Sequence, residues 1–338
     1  MRDDYASAIK LFRAAAARKP SGANMAGLAS SRYHSGQINL EEFEKDMRVA
    51  MALDPDYLWA VRELGWVQAY AGRYDAAQQQ FQAAIAKNEM DSNAQYGLAY
   101  VLTEQQSWDD AFDHVTRALE LQPDYVSALS LRSLILLMLN RPKQAIKDAD
   151  AVIAAWPDDD DGYVRKARAF DALGRRSEAN AVLTAASRRA DETSYLLFWQ
   201  ARLATDECDY ATALKFIERS IKHEDASFHD HRLHAEIALG LKWVSLAREA
   251  IDQALYLRPG DSFVLYTNAL VLIQEQRFEE AESAFDSAID AGLDAEYLGD
   301  FLSALVGKGR FMQTIQVRVR YSDRKTSSPE GKSLDISN

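Results

Sequence analysis

Residues 74–84 read Tyr74-Asp75-Ala76-Ala77-Gln78-Gln79-Gln80-Phe81-Gln82-Ala83-Ala84, and their frame of Tyr, Ala, Phe and Ala recurs along the chain. Trp108, Ala111, Val115 and Ala118 repeat it 34 residues later, and Phe278, Ala281, Phe285 and Ala288 repeat it again. A fixed period of this length marks stacked supersecondary units, each too small to bury its apolar face alone. A frame starting at Leu58 runs without insertion through Ala295 as seven units of 34 residues. Upstream, residues 22–57 make one unit of 36, and residues 1–21 match the second half of a unit through Tyr5, Ala8, Phe12, Ala15 and Pro20. Downstream, residues 296–321 read as a degraded terminal unit. Residues 322–338 are polar and poor in apolar side chains, so a disordered tail is expected there. Val317-Arg318-Val319-Arg320-Tyr321 alternates as a strand does, which leaves a following β domain open.

Spacing within a unit predicts two helices. Val61, Leu64, Gly65 and Val67 fall on one face of a first helix, Gly72 interrupts it, and Ala77, Phe81, Ala84 and Ile85 mark the face of a second. Small residues recur where first helices cross their partners: Ala29, Gly65, Ala99, Ser133, Ala167, Ala201, Ala235, Ala269 and Ser303. The matching place on second helices holds Ala throughout, apart from Phe43 and Ile315 at the outer units. A larger side chain there would hold the helices apart and leave a void beside it. Pro20, Pro55, Pro123, Pro157 and Pro259 stop second helices, and Asp56, Asp124 and Asp158 are expected to cap the helices that follow.

Leu64-Gly65, Gly72, Tyr74, Ala77, Phe81 and Ala84, with Pro at unit ends, resemble the tetratricopeptide repeat, and the resemblance covers roughly residues 1–320. It implies an all-α fold, a right-handed superhelical solenoid of antiparallel helix pairs without an internal domain boundary. First helices would line a concave groove. The resemblance implies little about the task, because the fold serves many.

Composition removes several classes. With 48% hydrophobic residues and only 15 Gly and 7 Pro in 338, the chain is neither collagen-like nor broadly disordered. A net charge of −12 argues against nucleic acid as a partner. No uninterrupted apolar run reaches about 18 residues, so no direct membrane insertion by a helix is expected. The acidic start, Met1-Arg2-Asp3-Asp4-Tyr5, lacks the apolar segment of a secretory signal, and a cytoplasmic location is the expectation. The single Cys208 excludes an internal disulfide, and the acids Asp206, Glu207 and Asp209 around it disfavour a thiolate nucleophile.

Candidate chemistry reduces to structural features. His223, His229, His231 and His234 do not form a His-Glu-x-x-His pair, and His231 and His234 occupy places that neighbouring units give to Leu197 and Gln200. They read as packing rather than metal ligands. Asp158-Asp159-Asp160-Asp161-Gly162 lacks the Glu that a calcium loop carries at its twelfth position, where Ala169 stands. Arg132 takes the place of Leu64 and Leu98, and Asp148 lies within reach as its structural partner. No phosphate loop, nucleophile elbow or paired carboxylate stands out. The expectation is a non-enzymatic chain with no cofactor and no metal.

What remains is a surface. In the resembled fold the ligand face is made by first-helix residues turned away from neighbouring helices. Carried over, this selects Trp59, Arg62, Trp66, Tyr70, Tyr96 and Tyr100, then Arg165 and Arg168. It continues with Tyr195, Phe198, Trp199 and Arg202, then His229 and Arg232, then Phe263 and Tyr266. Aromatic and Arg side chains anchor interfaces because they join large area to directional contacts. The expected role is a scaffold or adaptor whose partner is a protein or peptide segment carrying acidic and apolar groups. Two special groove chemistries are absent. A Lys/Asn carboxylate clamp would need different residues at Arg62, Trp66 and Gly97, and an asparagine ladder is not present at Glu63, Gly97, Leu131, Arg165, Trp199, Leu233 and Thr267. The alternative is a periplasmic segment of a bacterial polysaccharide export or outer-membrane assembly, in which an aromatic groove would suit sugar rings.

Overall fold

A computed structural model of the chain describes residues 2–189 and 192–326, and among these residues the regular structure is nineteen α-helices. Their packing divides into two compact units, residues 1–190 and 191–338. The 34-residue frame runs through the joint without losing register.

The first unit holds α1 (Arg2–Arg18), α2 (Gly22–His34), α3 (Leu40–Leu53), α4 (Leu58–Tyr70), α5 (Tyr74–Lys87) and α6 (Ser92–Glu104). It continues with α7 (Trp108–Leu121), α8 (Val126–Met138), α9 (Pro142–Ala155), α10 (Asp161–Ala172) and α11 (Arg176–Ala186). The second unit holds α12 (Ser194–Asp206), α13 (Tyr210–Ser220), α14 (Phe228–Gly240), α15 (Val244–Leu257), α16 (Ser262–Gln274), α17 (Phe278–Asp290), α18 (Tyr297–Gly307) and α19 (Phe311–Thr326). Within each unit, consecutive helices pack as antiparallel pairs, and first helices also touch the first helix of the next pair.

The repeat explains the helices locally. Second helices begin at Tyr74, Trp108, Pro142, Arg176, Tyr210, Val244 and Phe278, one period apart. The turns before them place Gly72, Gln106, Asn140, Gly174, Cys208, Lys242 and Gln276 in the left-handed region, with φ between 54° and 73°. Glycine adopts that conformation freely and an L side chain pays for it, so five of these seven turns carry some strain. α1, α3, α7, α9 and α15 each end two residues before Pro20, Pro55, Pro123, Pro157 and Pro259, as the residue preceding a proline leaves the helical region.

Capping differs from the expectation. Asp56, Asp124 and Asp158 lie inside the connecting turns, where Tyr57, Tyr125 and Asp159 donate to carbonyls three residues back. The caps fall later, on Tyr57, Tyr125 and Asp160, without a side-chain capping bond to the helix. Side-chain caps come instead from Ser21, Asn39, Asp91, Thr193, Asp209, Ser227 and Asp261.

The core follows the small-residue crossings. Ala77, Ala111, Ala145 and Ala179 in the first unit, and Ala213, Ala247 and Ala281 in the second, have no exposed surface. Beside them Phe81, Val115 and Leu183, then Ile217, Ile251 and Phe285, fill the space between helices. Gly97 on α6 passes so close to Phe81 that a Cβ would overlap its ring. Arg132 and Asp148 form the expected pair, two parallel hydrogen bonds of 2.7 Å from Nε and an η nitrogen to the carboxylate.

The C-terminal end departs from expectation. Residues 317–321 are helical rather than strand-like, because Val317 and Tyr321, one helical turn apart, bury together against Phe285 and Phe301. α19 runs on to Thr326, so the first five residues of the expected tail, 322–326, are helical; residues 327–338 lie outside the described residues. Ser303 and Ile315, at the two crossing positions, are exposed. No described helix is long and apolar enough to cross a membrane.

Candidate functional site

The side chains selected on first helices separate into two groups with different geometry. In the first unit, Trp66 of α4 is enclosed by rings: Tyr70 at 5.7 Å between centroids, Phe81 at 5.2 Å, Tyr96 at 5.5 Å and Tyr100 at 5.4 Å. Tyr96 in turn meets Tyr125 at 4.9 Å. Burial, the leading cause, pushes the Tyr96 hydroxyl above the usual phenol range and the Tyr100 and Tyr125 hydroxyls up to about 12. Tyr70 stands at the edge with 74% of its surface exposed. Trp59 is half-buried, tilted against Tyr57 and packed on the core around Phe43 and Met47. These rings mostly fill one another's space.

The arginines of this unit are engaged. Arg62 pairs with Asp91, the N-cap residue of α6. Arg165 donates from Nε to Asp161 at 3.0 Å, and Asp161 also accepts from Ser130. Arg168, one turn farther on α10, is half-buried. Arg62 and Arg165 are thus each tied to a carboxylate of their own unit.

In the second unit the corresponding residues surround open space. A cavity of about 690 Å³ is lined by Tyr195, Phe198, Trp199 and Arg202 of α12, by His229, Arg232 and Glu236 of α14, by Phe263 and Tyr266 of α16, and by Tyr297 of α18. Ser194, Asp225, Ser227 and Asp230 complete it. Such a volume falls within the range of small-ligand and side-chain pockets, ~300–1,000 Å³. Phe198 and Trp199 meet edge to face at 5.5 Å, and Tyr297 meets Phe263 at 5.6 Å and Tyr266 at 5.2 Å in the same manner. Two ring walls result, with α14 contacting both α12 and α16 between them.

The polar part of the lining is nearly self-satisfied. Glu236 accepts from Arg202 at 2.9 Å and also from Arg232. Arg202 additionally reaches Asp206 at 3.3 Å. Asp230 is buried and accepts from the Ser227 amide at 2.8 Å, from the Ser227 hydroxyl at 2.9 Å and from the Ser220 hydroxyl at 2.5 Å, closing a capping box at the start of α14. One donor is left over: Arg232 Nε is buried without a hydrogen-bond partner, while its guanidinium lies 5.7 Å from the Phe263 ring centre. Burial lowers His229, and more remote Arg232 charge lowers it further, so this imidazole is neutral near pH 7. Tyr266 is pushed up by burial and keeps its proton.

Eight of the predicted groove residues, Tyr195, Phe198, Trp199, Arg202, His229, Arg232, Phe263 and Tyr266, thus line one cavity. In the other unit, Trp59, Trp66, Tyr96 and Tyr100 are packed, Arg62 and Arg165 are ion-paired, Tyr70 is exposed at the edge of the cluster and Arg168 is half-buried. Sequence reasoning passed over Tyr297 and the acids. Tyr297 stands one period after Phe263, and Glu236 one period after Arg202, so both were within reach of the repeat frame. His234 is buried with Nε2 unpartnered, and His231 is half-buried. Among the described residues, no group of three or more His, Cys, Asp and Glu side chains is placed to hold a metal ion.

A family profile described as tetratricopeptide repeat matches residues 62–126 and 113–160. The TPR repeat-containing thioredoxin TDX of Arabidopsis thaliana is 28% identical over 102 residues, which cover 30% of this chain and 27% of that protein. The chain therefore spans little more than a quarter of that relative. Among solved structures, a tetratricopeptide repeat protein from Parabacteroides merdae ATCC 43184 superposes with a TM-score of 0.62 at 16% identity, covering 79% of this chain and 98% of the other. The APC/C hetero-tetramer Cut9-Hcn1 gives 0.59 at 15% identity over 82% of this chain and 55% of that one. At these identities the likeness concerns the fold.

Proposed function

The chain belongs to the tetratricopeptide-repeat family, and from that premise we propose that it is a non-catalytic scaffold that captures a partner protein segment in the cavity of its second unit. The observation that carries this reading is the open, ring-walled volume between α12, α14, α16 and α18. Rings standing around empty space expose apolar area that a bound side chain would remove from water, at ~25 cal/mol per Å². A solved structure of similar fold is named as a hetero-tetramer, Cut9-Hcn1, which supports the reading by analogy of fold.

The test is capture of partners by the purified full chain and by Trp199→Ala and Phe198→Ala variants. Both variants should keep their helical signal and lose captured protein at least tenfold, the loss expected for central aromatic anchors. Capture unchanged in both would sink the assignment. Oligosaccharide titration, read by calorimetry, addresses the polysaccharide alternative: heat released by uronic-acid or amino-sugar oligomers, abolished in Trp199→Ala, would replace the protein reading.

A further inference from the structure

α19 has a second apolar side that packing within the described residues does not use. Its inner side puts Val317 and Tyr321 against Phe285 and Phe301, and the Tyr321 hydroxyl donates to Asp286 at 2.5 Å. Phe311, Met312, Ile315 and Val319 fall together on the other side, and each keeps between 53% and 70% of its surface exposed. Val306, at the end of α18, is exposed as well. Contiguous apolar side chains left in water mark a surface that meets another molecule. The charges around the stripe have one sign. From Ser303 to Ser322 the chain carries Lys308, Arg310, Arg318 and Arg320 and no acid, although acids outnumber bases 51 to 39 over its length. Lys308 in the turn before α19, and Arg318 beside Ile315 and Val319, are exposed. Arg310 is exposed too, with its guanidinium 4.0 Å from the Phe278 ring centre. Among the described residues none of these three cations makes an ion pair.

We propose that α19 seats the protein on an anionic lipid surface, with its apolar stripe at the acyl boundary and its cations among the headgroups. The helix lies on the bilayer and does not cross it. An apolar stripe flanked by cations binds in the interfacial plane, and each cation near an anionic leaflet adds to the attraction. The stripe is the convex outer side of one helix. A fluid bilayer closes around such a shape, whereas a folded protein would need a groove cut to match it. A second copy of the chain would set these cations against their like. The acidic remainder of the chain opposes the contact little, because salt screens charges farther than ~8 Å from the surface. α19 lines no part of the cavity beside Trp199, so the two surfaces act independently.

The experiment sediments the full chain with vesicles of phosphatidylcholine holding about one-third phosphatidylserine, and with vesicles of phosphatidylcholine alone. The chain should bind the anionic vesicles about tenfold more tightly or better, and added salt should weaken that binding. Met312→Ser with Ile315→Ser, at two exposed positions, should weaken it about tenfold with melting unchanged. Lys308→Glu with Arg318→Glu should do the same. Trp199→Ala should bind the vesicles as the wild type does. Should the α19 variants melt early, hydrogen exchange of the wild-type chain on anionic vesicles makes the same test, with protection expected in α19 and the turn before it. No binding to anionic vesicles, equal binding to both kinds, binding indifferent to both α19 variants, or protection confined to other helices overturns the proposal. So does a chain that ignores vesicles but binds poly-glutamate through Lys308 and Arg318, which would make α19 a surface for an acidic protein.

Discussion

The aromatic cluster around Trp66 and the cavity beside Trp199 are built from the same residue types on the same frame, yet one is packed and the other open. The middle helix of each set makes the difference. In α6 the fifth and ninth frame positions are Tyr96 and Tyr100, and both rings close on Trp66. In α14 those positions are Arg232 and Glu236; Glu236 accepts from Arg232 and from Arg202. The space that rings occupy in the first unit therefore stays empty between the ring walls of the second. A repeat frame sets where side chains project; the chemistry at two positions on one helix decides between core and site.

Truncating the two tryptophans should separate these roles most clearly. Trp66→Ala removes a ring held by four others and should cost ~3 kcal/mol of stability, measured by denaturant unfolding. Trp199→Ala borders open space and should cost ~1 kcal/mol or less while abolishing partner capture. Equal destabilisation by both would erase the distinction between cluster and cavity.

Converting one site into the other is a second way to break the comparison. Arg232→Tyr with Glu236→Tyr gives α14 the ring pattern of α6. The double variant should fill the cavity, lose partner capture more than tenfold, and change stability by ~1 kcal/mol or less. Retained binding would mean that the vacancy left by α14 is not what admits the partner.

Acid should loosen the two units unequally. Burial holds His229, His231 and His234 of α14 below the ordinary imidazole pKa of 6.5, whereas His114 of α7 is the comparable group in the first unit. For a depressed pKa the unfolded chain binds the proton more readily, so the stability contribution is complete above 6.5 and falls as pH drops below it. Between pH 7.5 and 5 the second unit should therefore open first in hydrogen exchange, with its melting temperature down by a few degrees. His234→Leu, which removes the most buried of the three, should flatten that dependence; identical pH profiles in wild type and variant would contradict the cause assigned.

The smallest effect concerns turns. The first unit has Gly36, Gly72 and Gly174 among its left-handed positions, whereas the second has Cys208, Lys242 and Gln276 at three of its own beside Gly292 and Gly309. Cys208→Gly should stabilise by ~0.5–1 kcal/mol, the left-handed penalty less the added freedom of the unfolded chain. A loss of stability would show that the side chain contributes more than the backbone conformation costs.

Much of this architecture was legible because crossings tolerate only small residues. Ala77, Ala111 and their counterparts announced the helix pairs, and prolines announced the helix ends to within two residues. Cap positions were not legible, since Asp56, Asp124 and Asp158 are consumed by turns whose geometry depends on the packing of the flanking helices. Val317 and Tyr321 misled by alternation, as a five-residue window cannot separate a strand from one turn of helix whose neighbours are charged. Aromatic and Arg positions were readable, but not their division into packed and open groups. That division depends on which side chain reaches which across successive helices, as Glu236 does between Arg202 and Arg232.

The central claim is that partners dock beside Trp199 and not beside Trp66, and hydrogen exchange of the full chain with and without a captured partner measures this directly. Added protection confined to α12, α14 and α16, with α4 and α6 unchanged, is the predicted result. Protection concentrated on α4 and α6, with α14 unaffected, would contradict it.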